Sequence, residues 1–297
     1  MKTYSEKKSS RKFLAAVLAA VMTVAAAAFV LAACNDGDNS NGAKLIFSDE
    51  FDTELNTDLW TVKDELRKGG YWDDEAVFTE NGNLVIRTSY DEERNTFLTG
   101  AVTTEKSFLH HYGYYEARVK APEAAGIWSA FWIMCDKMGD ENPDASVGGA
   151  EIDIYESAYY PATANWLADF QAAIHVGGYG SNWIRNEHMF SAPQKEGIGH
   201  AYEDWYVFAL DWQPDGYKFY MNNELIWETD CDDNVSSVDS YVFLSVEVNG
   251  SNGNPNGTPQ FPLNGNALKQ NGDLSEIFPA DFLVDYVRVW DKNPHTA

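Results

Sequence analysis

The sequence predicts an all-β domain, a two-sheet sandwich or a barrel. Three observations predict it. Roughly ten or more short β-prone segments follow one another, several alternating apolar and polar residues with period two. Gly, Asn, Asp and Pro, the residues of tight turns, stand between them. Almost no helical pattern occurs along this part of the chain.

The first 33 residues lie outside this domain. Lys7, Lys8, Arg11 and Lys12 precede an Ala/Val/Leu run from Phe13 to Ala33, the layout of a secretory signal. The run nearly reaches the roughly 20 residues that span a bilayer. Its end, Leu31-Ala32-Ala33-Cys34, resembles instead the bacterial lipoprotein signal, in which the Cys becomes the lipidated first residue. An uncleaved anchor and an ordinary signal peptide are the alternatives, and each places the domain outside the cytoplasm. The expected organisation is a signal over 1–33, a lipidated Cys34 with a flexible tether over 34–44, and one domain over 45–297. The lipid would be the only membrane contact, at the bacterial cell envelope.

About 250 residues suit a single all-β domain with a large core, expected as a monomer. The whole chain's 46 Asp and Glu against 21 Lys and Arg give a formal charge of −25, and the leader holds five of those cations and only one of the acids, so the rest is more acidic still. So acidic a surface repels nucleic acid and anionic lipid. It also disfavours sulfated or uronic polysaccharides, unless the charge is unevenly distributed. Apart from Cys34 there are only Cys135 and Cys231, which could form one disulfide or remain two buried thiols.

In chain order, residues 44–51 open the domain with a strand and an acidic turn, and residues 58–62 add a short segment. Gly82-Asn83 turns into the strand 84–88, and residues 97–106 are β-prone. Residues 112–121 give the clearest alternation, with Tyr115, Ala117 and Val119 on one face, ended by Pro122. Residues 127–135 are too short and apolar for a typical helix and read as a strand with Trp128, Ala130 and Trp132 on one face. A loop over 136–149 leads to a strand carrying three carboxylates. Residues 157–168 read as a loop or a single helical turn, 170–176 as a strand carrying His175, and 177–204 as mostly loop. Strands over 205–213, 216–221 and 224–229 form a meander, the last two joined across Asn222-Asn223. A strand over 239–248, a Gly/Asn/Pro-rich loop over 249–273 and a strand over 282–290 complete the domain. Ten Trp and sixteen Tyr exceed what a core needs, so some are expected to line a groove.

The three carboxylates occupy Glu151-Ile152-Asp153-Ile154-Tyr155-Glu156. On a regular strand Glu151 and Asp153 share a face and Glu156 points away. One extra residue between Asp153 and Glu156, a β-bulge, brings all three to one side. Facing carboxylates raise one another's pKa, which suits a site where one must hold a proton near neutral pH. A retaining glycosidase needs two carboxyls about 5–5.5 Å apart, a nucleophile and an acid/base. Glu151 and Glu156 fit those parts, with Asp153 between them tuning Glu151. A calcium or magnesium site and a solvated acidic edge strand are the plainer readings. The flanking Ile152 and Ile154 and the aromatic-rich neighbouring strands argue for a semi-buried central strand. His175 fits a core position or one beside the carboxylates, and Trp128 and Trp132 fit the core or a sugar-stacking surface. The other histidines show no zinc-ligand spacing, and no Gly-rich loop joins a strand to a helix.

The motif resembles the E-x-D-x-x-E signature of glycoside hydrolase family 16. Further blocks resemble that family: residues 113–122 and 126–134, His175-Val-Gly-Gly-Tyr-Gly, residues 204–212 and the closing 284–290. The resemblance covers roughly residues 45–291 and implies a β-jelly roll of two antiparallel sheets with a concave groove. It implies endo-acting, retaining hydrolysis of β-glucans or β-galactans, with Glu151 as nucleophile, Asp153 as assisting carboxylate and Glu156 as acid/base, and no catalytic cofactor. It also implies a structural calcium away from the groove, with Glu50, the backbone near Gly82 and Asp285 in the corresponding places. The chain departs from the family pattern at Ser129, where Pro is frequent, at Gly149-Ala150, in the aromatic loop after Glu156, and at Ser245–Asn249. The expected order of substrates is β-1,3- or mixed β-1,3-1,4-glucan, then β-1,3-galactan, with sulfated galactans last. A transglycosylase and a non-catalytic sugar-binding module are the competing readings.

Overall fold

In the computed structural model, residues 41–122, 124, 127–158, 169–191, 204–248 and 278–296 are described. The leader, Cys34, the tether up to residue 40, most of the 157–168 segment and the 249–273 loop lie outside the described residues. The strands are β1 (Leu45–Asp49), β2 (Thr61–Val62), β3 (Glu65–Arg67), β4 (Gly70–Trp72), β5 (Val77–Glu80) and β6 (Asn83–Asp91). They continue as β7 (Thr96–Thr99), β8 (Ala101–Thr103), β9 (Gly113–Lys120), β10 (Ile127–Met134), β11 (Ala150–Ala158) and β12 (Asp169–Val176). The last six are β13 (Ile184–Ser191), β14 (Tyr206–Gln213), β15 (Gly216–Met221), β16 (Glu224–Thr229), β17 (Tyr241–Val248) and β18 (Ala280–Trp290).

They form two sheets. The eleven-stranded sheet runs β16-β15-β14-β9-β18-β6-β7-β4-β3, with β1 on β18 and β5 on β6. The seven-stranded sheet runs β13-β12-β11-β10-β17-β8-β2. Neighbours are antiparallel except the short β4–β7 pair. This is a jelly-roll sandwich, with non-consecutive strands adjacent in both sheets.

Tyr115, Ala117 and Val119 of β9 face Phe131 and Ile133 of β10 and Ile152 and Ile154 of β11 across one apolar core. The other face of β10 carries Ala130 and Trp132, which cluster with Trp72, Ala101, Tyr241 and Phe243 under the groove. Trp132 stacks on Phe243 at 4.3 Å. The alternation read from residues 127–135 therefore separates core from groove floor.

Three local differences from the sequence reading have physical causes. The 97–106 segment is two strands in different sheets, parted at Gly100, where a Cβ would lie 2.4 Å from Val77 Cγ2. Within 177–204, expected as mostly loop, residues 184–191 form β13, which pairs with β12 along its whole length. That strand is an edge with only Phe190 buried, and Arg185, Glu187 and His188 mask its pattern while discouraging edge-to-edge association. The Asn81-Gly82 turn between β5 and β6 has φ of 54° and 72°, the left-handed pair of a tight hairpin. Cys135 and Cys231 are buried free thiols.

Candidate active site

β11 lies between β10 and β12, and its register with β12 shifts between Asp153 and Glu156. The expected bulge is there. Ile152, Ile154 and Tyr155 all enter the core, two of them consecutive, so Glu156 turns back to the side of Glu151 and Asp153. The bulge is held from beneath by hydroxyls. Ser129 Oγ lies 2.8 Å from the Tyr155 hydroxyl and 2.7 Å from Ser157 Oγ, all buried. Tyr155 also stacks on Phe208 at 4.4 Å. Ser129, where family members often have Pro, thus supplies partners to the inserted residue.

Glu151, Asp153, Glu156, Trp128, Trp132 and His175 line one open cleft. The two outer carboxyls have different donors. Trp128 Nε1 donates to Glu156 Oε1 at 2.7 Å, and Gln171 Nε2 donates to Oε2 at 2.5 Å. The Tyr179 hydroxyl donates to Glu151 Oε2. His175 Nε2 lies 3.2 Å from Asp153 Oδ2 and 3.8 Å from Glu151 Oε1.

Burial raises the pKa of all three carboxyls, but not to the same degree. Glu151 is raised by desolvation, opposed by the Tyr179 hydroxyl and the nearby His175 and Arg67. Asp153 is raised well above the ordinary range by desolvation and then by Glu151. Glu156 is likewise raised well above it by desolvation and by Asp153, against the donors Gln171 and Trp128. Burial lowers His175, so this ring tends to be neutral. All three shifts favour the protonated form, least so for Glu151, which suits it to ionise before its neighbours.

Glu151, Asp153 and His175 offer atoms within 4.8 Å of one another, a grouping that could hold a metal ion. It is the only such grouping among the described residues. It lies in the cleft, not at the family calcium position. There, Glu50 makes a two-pronged ion pair with Arg288 at 2.9 and 2.7 Å, and Asp285 meets Arg118 Nη1 at 2.7 Å. Both expected calcium carboxylates are thus neutralised by arginines, and only Gly82, on its left-handed turn, is without such a partner charge.

Several cleft residues were not foreseen. Gln171 lies opposite Glu156 across the strands and could have been found by counting back in twos from His175. Tyr179 and Trp183 come from the turn after β12; Tyr179 falls in the His175–Gly180 block noted in the sequence but was given no role there, and only the aromatic excess of the composition hinted at Trp183. Arg67, Lys68 and Arg185 line the cleft of this acidic chain, contributed by the end of β3, the turn after it and the edge strand β13.

Three adjacent carboxyls with raised pKa values, aligned by a bulge on the grooved sheet of a jelly roll, have the layout of a glycoside-hydrolase domain. Residues 44–292 match the family model described as "Beta-porphyranase A-D, GH16 domain", and the chain belongs to glycoside hydrolase family 16. It is 29% identical over 190 residues to the endo-1,3-1,4-beta-glycanase ExoK of Rhizobium meliloti, covering 61% of each chain. It is 24% identical over 265 residues to the kappa-carrageenase of Pseudoalteromonas carrageenovora, covering 82% of this chain and 63% of that protein. The chain therefore spans less than two thirds of the length of both relatives. Among solved structures, the catalytic domain of an endo-1,3-beta-glucanase (laminarinase) from Thermotoga petrophila superposes with a TM-score of 0.62 at 25% identity. That match covers 84% of this chain and 98% of the laminarinase domain.

Proposed function

We propose that this protein is an endo-acting, retaining hydrolase of β-1,3- or mixed β-1,3-1,4-glucan. The observation that carries the reading is the bulge that aligns Glu151, Asp153 and Glu156 on one side of the cleft, with burial raising Glu156 well above the ordinary range and Glu151 less far. Glu151 attacks the anomeric carbon as the glycosidic C–O bond breaks, and Glu156 gives its proton to the leaving oxygen. Water then loses a proton to Glu156 and attacks the same carbon, which frees Glu151 with net retention. Asp153, protonated between them, steadies Glu151 and limits the negative charge of the cluster. The half-buried Trp128 and the largely buried Trp132 give the sugar an apolar wall and floor, and the open cleft suits a polymer cut internally. The endo-1,3-1,4-beta-glycanase relative and the laminarinase likeness support a β-glucan, and the kappa-carrageenase relative points instead to a galactan.

Product analysis tests this reading. The full-length protein and its Glu151→Gln and Glu156→Gln variants are incubated with laminarin, mixed-linkage β-glucan, β-1,3-galactan and a sulfated galactan. Short oligosaccharides from a glucan, formed by the parent protein and reduced by orders of magnitude in both variants, are expected. Full activity in either variant would end the assignment. With sugar acceptors present, longer products would favour transglycosylation. Binding without cleavage would indicate a sugar-binding module.

A sulfated galactan is the second reading. The Arg67, Lys68 and Arg185 side chains in the cleft favour it, because guanidinium groups match anionic oxygens in pairs. The β-porphyranase description of the family model points the same way.

We further propose that Cys34 is lipidated and tethers a monomeric domain outside the cytoplasm, so that external polymer is cut before uptake. Mass spectrometry of the mature N-terminus tests this; an unmodified Cys34 would refute it. A structural calcium at Glu50, Gly82 and Asp285 would have to displace Arg288 and Arg118. A rise in melting temperature with calcium, reversed by chelator, would support that displacement.

A further inference from the structure

The turn over residues 177–183 sends two exposed aromatic side chains to the carboxylate cluster, and each delivers a hydrogen-bond donor. Tyr179 is 56% exposed and Trp183 46%, so neither is there to fill the core. The turn itself is closely fitted. Gly177 and Gly178 have φ of 80° and 70°, and a Cβ on Gly177 would lie 2.1 Å from the Asn182 carbonyl oxygen. A Cβ on Gly180 would lie 2.6 Å from a Glu141 carboxylate oxygen, and Asn182 Nδ2 donates to the Glu141 carbonyl at 3.0 Å. The aromatic rings therefore stand on a fixed base.

Trp183 Nε1 lies 2.9 Å from His175 Nδ1, and the rings stack at 25°. An indole N–H can only donate, so Nδ1 must accept. The proton of neutral His175 then sits on Nε2, which faces Asp153 Oδ2 at 3.2 Å. An imidazolium would set an N–H against the indole N–H, so the same contact opposes protonation of the ring.

We propose that the 177–183 turn is a positioning element of the catalytic site: Trp183 fixes His175 as the Nε2–H donor to Asp153, and Tyr179 holds one oxygen of Glu151. Neither residue reacts; both act through the carboxylates, and the proposal rests on the retaining-hydrolase reading. Glu151 also faces His175 from β12, Asp153 and Glu156 from its own strand, Arg67 from β3 and Glu247 from β17. Loss of the Tyr179 hydroxyl removes one of the few groups among these that favour its ionised form.

The test has two arms on the full-length protein. In the first, the 15N spectrum of histidine-labelled protein should show His175 as the Nε2–H tautomer, and Trp183→Phe, which keeps the stacking, should give a tautomer mixture. In the second, Tyr179→Phe should lower kcat on the hydrolysed glycan by about tenfold or more, with KM changed less than about threefold. The acid limb of its kcat/KM profile should move to higher pH, and the melting temperature should stay unchanged. An unaltered spectrum in Trp183→Phe, or a Tyr179→Phe defect confined to KM, overturns the proposal. The spectrum needs no substrate, so a parent protein inactive on every glycan would refute the hydrolase reading while the tautomer result still decides the Trp183 contact.

Discussion

Gly149→Ala should be among the most damaging single-atom additions in this protein. Gly149 ends the helical turn Ala145–Gly148 with φ 73° and ψ −169°, a region that essentially only glycine occupies. A side chain held there costs about 1–3 kcal/mol in backbone strain. The added Cβ would also lie 2.1 Å from Cys135 Sγ and 3.4 Å from Val238 Cβ, inside a packed core. Overpacking of that kind costs about another 1–3 kcal/mol. Together they give roughly 2–6 kcal/mol, or a melting temperature lower by about 5–20 °C at the usual 2–4 °C per kcal/mol for a domain of this size. Gly149 stands two residues before Glu151, so whatever the strand yields to the clash displaces that carboxyl as well. Differential scanning calorimetry and kcat on the same samples read both effects. Cys135→Ala in the Gly149→Ala background separates the two contributions, because it removes the clashing sulfur and leaves the strained φ. The double variant should recover the steric part of the loss. A loss below about 1 kcal/mol would refute both the clash and the strain, and a double variant no better than the sum of the singles would refute the clash while leaving the strain as the cause.

Two further outcomes follow from the protonation of the cluster. Trp128→Phe and Gln171→Leu each remove a donor that favours ionised Glu156, so each should move the basic limb of kcat/KM to higher pH; an unmoved or lowered limb in both would count against Glu156 as the acid. Asp153 has a raised folded-state pKa, so the folded protein binds more protons than the unfolded chain above the ordinary carboxylate range, and stability falls as pH rises toward the raised value. Asp153→Asn escapes that loss while keeping a donor for Glu151. Its melting temperature should match the parent at acid pH and exceed it increasingly toward alkaline pH, as turnover drops; a constant difference across pH would contradict a protonated Asp153.

The bulge was legible because the carboxylate count on a period-two strand came out wrong by one residue, and Ile154-Tyr155 fills that gap with side chains that both enter the core. The β9 and β10 alternations were legible for the same reason, since burial on one face leaves a pattern in the chain. Strand β13 left none. Its backbone pairs fully with β12, but an exposed edge strand buries too little to require apolar residues, and Arg185 and Glu187 look like a solvated loop. Tyr179 and Trp183 were equally hidden, for their value lies in where one hydroxyl and one indole N–H point, and a turn's direction is not encoded by periodicity. Glu50 and Asp285 illustrate the converse. Their positions were placed by resemblance, yet each is joined to an arginine that sequence spacing alone did not connect to it.

The basic side chains in the cleft have a use that is independent of any charge on the substrate. Four carboxyls line the cleft, Glu247 beside the three of β11, and Arg67 favours ionised Glu151 while Arg185 favours ionised Asp153. Each arginine is also committed to a neighbour, Arg67 to Glu247 and to the Trp72 ring at 4.9 Å, Arg185 to Glu187. An arginine that merely balances the cluster and one that reads a sulfate ester differ in what their loss does. Under the neutral-glucan reading, Arg67→Gln should shift the acid limb of kcat/KM upward and leave KM for laminarin nearly unchanged at any ionic strength. Under the sulfated-galactan reading, the same variant should raise KM for the sulfated polymer about tenfold or more, and salt should weaken parent binding in parallel. Arg67 ends the short strand β3, with its side chain 38% exposed, so the substitution spares the core. A parent protein whose cleavage of a sulfated galactan is both faster than that of any glucan and lost in Arg67→Gln would make the acidic net charge of the chain a poor guide to its groove. The cleft then recognises its polymer through the few cations the chain keeps there.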